Sequence, residues 1–128
     1  MRIGRHAAMI RCVDKEQFKK RTKAYALRVI KVVDALPNTQ SSKVLGGQLL
    51  RSGTSVGANY RAAARAKSSA DFISKMGTVE EECDESLYWM ELIIEDGLVG
   101  GERLADLMAE GDEILAMTVS SIRTARGR

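Results

Sequence analysis

From Asp14 to Leu36 apolar residues recur at Phe18, Tyr25, Val29, Val32, Val33 and Leu36, with Lys19, Lys20, Arg21, Lys23, Arg28 and Lys31 largely between them. That spacing is the period of an amphipathic helix. Pro37 and Asn38 stop it, because proline cannot continue the backbone hydrogen-bond ladder. A second start signal follows at Ser41 or Ser42, and Leu45, Leu49, Val56, Tyr60, Ala63 and Ala66 carry a stripe to about Ser68. A third helix begins near Ser69, a capping hydroxyl with Asp71 in the favourable first turn. Its stripe is Phe72, Met76, Val79, Cys83, Leu87, Met90 and Ile94; Gly97 closes it and Gly100–Gly101 make the turn. Leu104, Leu107, Met108, Leu115, Val119 and Ile122 define a fourth helix. Short links force sequential helices antiparallel, so the pattern predicts an all-α, antiparallel up-down four-helix bundle. The whole chain, 1–128, reads as one domain, with residues 1–13 as a flexible extension.

The second helix carries four glycines, Gly46, Gly47, Gly53 and Gly57. Each costs about 0.5–1 kcal/mol relative to alanine inside a helix, so a compensating contact is expected. Gly53 and Gly57 lie four apart on one face, where a neighbouring backbone or a large ring such as Trp89 can come close. The alternative is a break in the helix near Gly46–Gly47.

One proline and few aromatic residues leave little of the turn punctuation and enrichment that a β-sandwich needs. Cys12 and Cys83 have no second Cys or His within two to five residues, which fits neither a disulfide framework nor a metal site and points to a reducing cytoplasm. No apolar stretch approaches the roughly 20 residues of a membrane span. The acidic run Glu80, Glu81, Glu82 lacks the Glu-x-x-His pattern of di-iron bundles, and the one histidine, His6, lies in the extension. Without a histidine base near a serine or cysteine, nucleophilic catalysis has no machinery. The expectation is a protein without enzymatic activity, cofactor or small-molecule substrate.

The net charge of +3 conceals strong segregation. Residues 1–36 carry +7, residues 41–70 carry +5 with no acid at all, and residues 71–97 carry −8. Such blocks imply pairing between neighbouring helices, between subunits, or with an anionic partner. Arg51, Ser55 and Asn59, four apart on the second helix, are expected to form a structural polar network with Glu82, Glu85 and Ser86 of the third. Arg61, Arg65 and Lys67, with Lys19, Lys20 and Lys23 on the first helix, are candidates for binding nucleic-acid phosphates; a solvated or intersubunit face is the competing reading. Gly53, Gly57 and Trp89 are the expected helix-packing positions, Trp89 and Tyr88 lying in the bundle or a subunit seam.

Residues 51–61 read Arg-Ser-Gly-Thr-Ser-Val-Gly-Ala-Asn-Tyr-Arg, residues 62–75 continue as Ala-Ala-Ala-Arg-Ala-Lys-Ser-Ser-Ala-Asp-Phe-Ile-Ser-Lys, and residues 79–89 read Val-Glu-Glu-Glu-Cys-Asp-Glu-Ser-Leu-Tyr-Trp. This combination closely resembles the four-helix-bundle protein family known from open reading frames in intervening sequences of 23S ribosomal RNA genes. The resemblance is dense over the second and third helices and reaches most of residues 15–122. It implies antiparallel four-helix bundles that form homopentamers, and it names a gene location, not an activity. The expected function is therefore a homo-oligomeric structural or scaffolding protein whose partner is itself. The alternative is an accessory protein that binds RNA or a ribonucleoprotein through the basic surfaces of helices one and two.

Overall fold

A computed structural model of the chain describes the backbone of residues 2–127 and the side chains of residues 15–127. It contains four helices, α1 (Arg2–Asp34), α2 (Gln40–Ala64), α3 (Ser69–Glu95) and α4 (Gly101–Ala125). The extension expected over residues 1–13, with His6 and Cys12, lies outside the residues whose side chains are described.

Local chemistry sets the ends. The α2 cap is Thr39, slightly ahead of the expected Ser41 or Ser42: its hydroxyl accepts from the Ser42 amide at 3.1 Å, and Ser42 is buried beneath it. The α3 cap is likewise Ser68, accepting from the Asp71 amide at 3.0 Å, one residue before the expected Ser69. That extended serine requires non-helical backbone before it, so α2 stops at Ala64 and not near Ser68. α3 ends in a paired C-terminal motif in which the Leu98 amide donates to Ile93 at 3.0 Å and the Gly97 amide to Ile94 at 2.9 Å. Gly97 sits at φ +78, the left-handed region this motif needs.

Helices adjacent in sequence are adjacent in space, and α1 also packs beside α4, whereas the backbones of the diagonal pairs stay apart. The register shows that neighbours run antiparallel. Along α1 and α2, Leu36 faces Gly46, Val29 faces Gly53 and Thr22 faces Gly57. Across α2 and α3, Arg51 reaches Glu82 and Ser41 reaches Asp96; across α3 and α4, Leu87 meets Gly111 and Ile94 meets Gly101.

The core is built from Phe18, Tyr25 and Val29 of α1, Leu49, Val56, Tyr60 and Ala63 of α2, Met76, Val79, Cys83, Leu87, Met90 and Ile93 of α3, and Leu104, Leu107, Ile114 and Ile122 of α4. Phe18 and Tyr60 meet edge to face with centroids 4.6 Å apart, a favoured aromatic geometry. Ile114 and Thr118 occupy the interior where Leu115 and Val119 were expected, and Ile93 is buried more deeply than Ile94. The true α4 stripe passes through Gly111 and Thr118, which do not register as apolar. Thr22, Ser52 and Thr118 enter the core because each hydroxyl donates to a carbonyl of its own helix, at 2.8–2.9 Å.

Helix α2 is continuous through Gly46–Gly47. A Cβ at Gly53 would lie 2.8 Å from both Val29 methyls, one at Gly57 would lie 3.1 Å from Thr22 Oγ1, and one at Gly46 would lie 3.0 Å from Leu36 Cδ1. The partner of the glycine face is thus α1, and the approach expected of the Trp89 ring is not made there. Gly47 faces open space. Because Val29 is β-branched and fully buried, it has no rotamer into which to withdraw. Gly53→Ala is expected to destabilise by about 1–3 kcal/mol. Gly47→Ala, with no neighbour to disturb, should stabilise by about 0.5–1 kcal/mol. Thermal and denaturant unfolding of the two variants checks this opposition of sign.

Candidate functional site

The polar network begins with Arg51, whose guanidinium Nη1 donates to Glu82 at 3.0 Å while Nη2 contacts Glu85. Glu85 also accepts from the Trp89 indole N–H at 3.4 Å, and Trp89 is partly buried against the core. These contacts raise the Arg51 pKa, the bond to Glu82 foremost. Ser55 and Asn59 do not join them. The Ser55 hydroxyl donates to the Arg51 carbonyl at 2.6 Å, and the Asn59 amide donates to the Ser55 carbonyl at 2.8 Å, so both serve their own helix. Ser86 faces α1, where its hydroxyl pairs with the Tyr25 phenol at 2.8 Å and donates to the Cys83 carbonyl at 2.7 Å.

Two polar groups of α1, read from spacing only as a charge beside the stripe and a stripe residue, tie it to α4 and α3. Arg21 donates to Glu110 at 2.9 and 2.7 Å, to Glu113 at 3.0 Å and to the Met117 sulfur at 3.2 Å. The α1–α4 seam is thereby clasped by one guanidinium between two carboxylates, and its pKa is raised, first by Glu110. A signal was present in the sequence: Glu110 and Glu113 are one turn apart, next to the α4 stripe. Tyr25 is fully buried, and its phenol is satisfied there by the Ser86 hydroxyl.

The close approach of α1 and α2 leaves a groove of about 620 Å³ along their outer side. Lys19, Lys20 and Lys23 stand on the α1 wall, Arg61 and Arg65 on the α2 wall, and Thr22, Ala26, Thr54, Gly57 and Ala58 line the space between them. Lys67 is not part of it, since it lies beyond the end of α2. Glu16 is the one carboxylate in the lining and sits 3.5 Å from Lys19. Among the described residues no ion pair engages Lys20, Lys23, Arg61 or Arg65.

Two further surfaces oppose each other in charge. On α1 the exposed positions Lys20, Lys23, Leu27 and Lys31 form an outward stripe, bounded by Glu16 and Asp34, with Leu27 55% exposed at its centre. On α3 the exposed positions Glu81, Asp84, Tyr88, Glu91 and Glu95 repeat at steps of three and four, with Tyr88 51% exposed. Tyr88 therefore lies outside the protomer's core, its ring edge-on to Trp89 at 5.2 Å. None of these four carboxylates makes an ion pair among the described residues.

Among the described residues no three His, Cys, Asp or Glu side chains converge on a point where a metal would sit, and no helix is long and apolar enough to cross a membrane. Cys83 donates to the Gly111 carbonyl at 3.3 Å, and burial pushes its thiol up to about 12; burial raises the Tyr25 phenol as well. An unfolded-chain thiol ionises near about 8.5. Above that value the unfolded state has lost a proton that the folded state keeps, so stability falls as pH rises. The urea midpoint is expected to drop between about pH 8 and pH 10.5, and Cys83→Ala should flatten that drop even though it lowers the midpoint at pH 8.

A family model described as 23S rRNA-intervening sequence protein matches residues 14–120, a span that includes parts of all four helices. The crystal structure of a protein with unknown function from the S23 ribosomal protein family of Bacteroides thetaiotaomicron VPI-5482 is similar, at a TM-score of 0.79 and 35% sequence identity. That match covers 85% of this chain and 97% of the other. No curated protein matches it. A family model over most of the chain, joined to a relative of this identity with the same fold, leads to one conclusion: the chain belongs to the 23S rRNA-intervening sequence protein family.

Proposed function

We propose that this protein is a non-enzymatic scaffold that assembles with copies of itself, the outward stripe of α1 on one copy seated against the outward stripe of α3 on the next. The observation that carries this reading is the match between the stripes. Each is a single exposed helix face with a large apolar residue near its middle, Leu27 on one and Tyr88 on the other, flanked by charges of opposite sign. Burying the two apolar groups against each other removes surface from water, while Lys20, Lys23 and Lys31 meet Asp84, Glu91 and their neighbours and fix orientation.

α1 and α3 stand at diagonal corners of the bundle, so a contact between them joins unlike surfaces and leaves a free α3 stripe on one copy and a free α1 stripe on the other. Heterologous contacts of this sort either close into a ring or continue as a filament. A ring of five is the form that the sequence resemblance implies.

Light scattering coupled to size exclusion tests the proposal. The expected mass is a multiple of the 14.0 kDa chain, and a monomer at micromolar concentration would contradict it. Asp84→Lys/Glu91→Lys should shift the mass toward the monomer. Mixing that variant with Lys20→Glu/Lys31→Glu should restore a complex, because the repelling charges are then exchanged.

A further inference from the structure

We propose that the groove between α1 and α2 is a binding site for the phosphate backbone of a single nucleic-acid strand, read without regard to base sequence or sugar. The groove has cations on both walls, Lys19, Lys20 and Lys23 on one and Arg61 and Arg65 on the other. A strand lying between them is flanked by positive charge along both sides.

The packing creates this arrangement. Gly57 lets Thr22 approach α2, and the small residues Ala26 and Ala58 keep the space between the walls open. Two arginines on the helix seams are satisfied internally, Arg51 with Glu82 and Glu85, Arg21 with Glu110 and Glu113. The groove instead gathers unpaired cations in one place: Lys20, Lys23, Arg61 and Arg65 have no carboxylate partner among the described residues, and Glu16 is held by Lys19. Five cations against one engaged carboxylate is an arrangement that an anionic chain completes.

What the groove lacks defines its selectivity. No aromatic residue is in its lining, so bases have no stacking platform. Its hydroxyls are committed, Thr22 to the Phe18 carbonyl at 2.9 Å and Thr54 to the Leu50 carbonyl at 2.7 Å. With its hydroxyl hydrogens committed and its remaining polar groups cations that phosphates of either strand engage, the groove should bind RNA and DNA of one sequence alike.

Lys20 and Lys23 also belong to the α1 stripe of the proposed assembly, but Arg61 and Arg65 do not, so those two arginines separate the proposals. Fluorescence anisotropy of a labelled single-stranded oligonucleotide of about 20 residues, as RNA and as DNA, is measured at salt from about 50 to 200 mM. Binding is expected for both, with log affinity falling linearly in log salt by about 0.7 per phosphate engaged. Arg61→Ala/Arg65→Ala should weaken binding at the lower salt at least about tenfold and make the slope shallower by about 1.4, two phosphates' worth. Lys67→Ala, outside the groove, should leave affinity within about twofold, and unfolding curves of the exposed-site variants establish that the bundle is intact.

Absence of binding at the lowest salt, or a slope unchanged in the double variant, overturns the proposal. If Arg61→Ala/Arg65→Ala instead leaves no binding to lose but lowers the assembly mass, the groove holds the acidic face of a second copy. A clear preference for RNA over DNA would equally contradict backbone-only recognition.

Discussion

The distance between α1 and α2 constrains the rest of the molecule. Three positions of α2 carry no side chain where α1 crosses them, and the atoms that occupy the space are Leu36 at one end, Val29 in the middle and Thr22 at the other. Helix axes normally pack about 8–10 Å apart, with side chains setting the gap. Glycine at the contact lets α1 side chains press onto the α2 backbone, with Val29 fully buried there. The core on the other side of the seam, Phe18 against Tyr60 and Tyr25 against Ser86, depends on α1 sitting this close.

The same constraint distributes the charge. With α1 drawn against α2, cations of both helices line one groove, while six of the α3 acids fall into two sets. Glu82 and Glu85 turn toward α2 and neutralise Arg51; Glu81, Asp84, Glu91 and Glu95 turn outward and neutralise nothing in the protomer. Exposed pairs such as Arg51 with Glu85 contribute little stability individually. Their value is in fixing register, and the unpaired groups on opposite corners are available to act between molecules.

The sequence made the bundle legible because hydrophobic period and helix stops agree over long segments. The positions it misplaced are those where the interior residue is not apolar. The apolar pattern points to Leu115 where the structure buries Ile114, because the stripe runs through Gly111 and Thr118, and neither shows its burial in its chemistry. The glycine face was visible as an anomaly, but the neighbour that fills it, Val29 in place of Trp89, depends on how α1 is rotated. Spacing placed Arg51 beside Glu82 and Glu85, yet it also grouped Ser55 and Asn59 with them, since a shared helix face does not reveal that a side chain bonds to its own backbone. The cations of the groove were named from both helices; that Lys67 stands apart follows from the Ser68 cap, which ends α2 early.

Disulfide trapping between copies tests the central claim most directly, because it asks whether the outward faces of α1 and α3 meet. In a background with Cys12→Ser, the variants Leu27→Cys and Tyr88→Cys are prepared separately, mixed and oxidised. Cys83, buried and with its thiol pushed up to about 12, should not compete. The account predicts a covalent dimer in the mixture containing one copy of each variant, and little in either variant alone, since like stripes repel. A mixture that stays monomeric on a denaturing gel, or equal dimer formation by each variant alone, would contradict it.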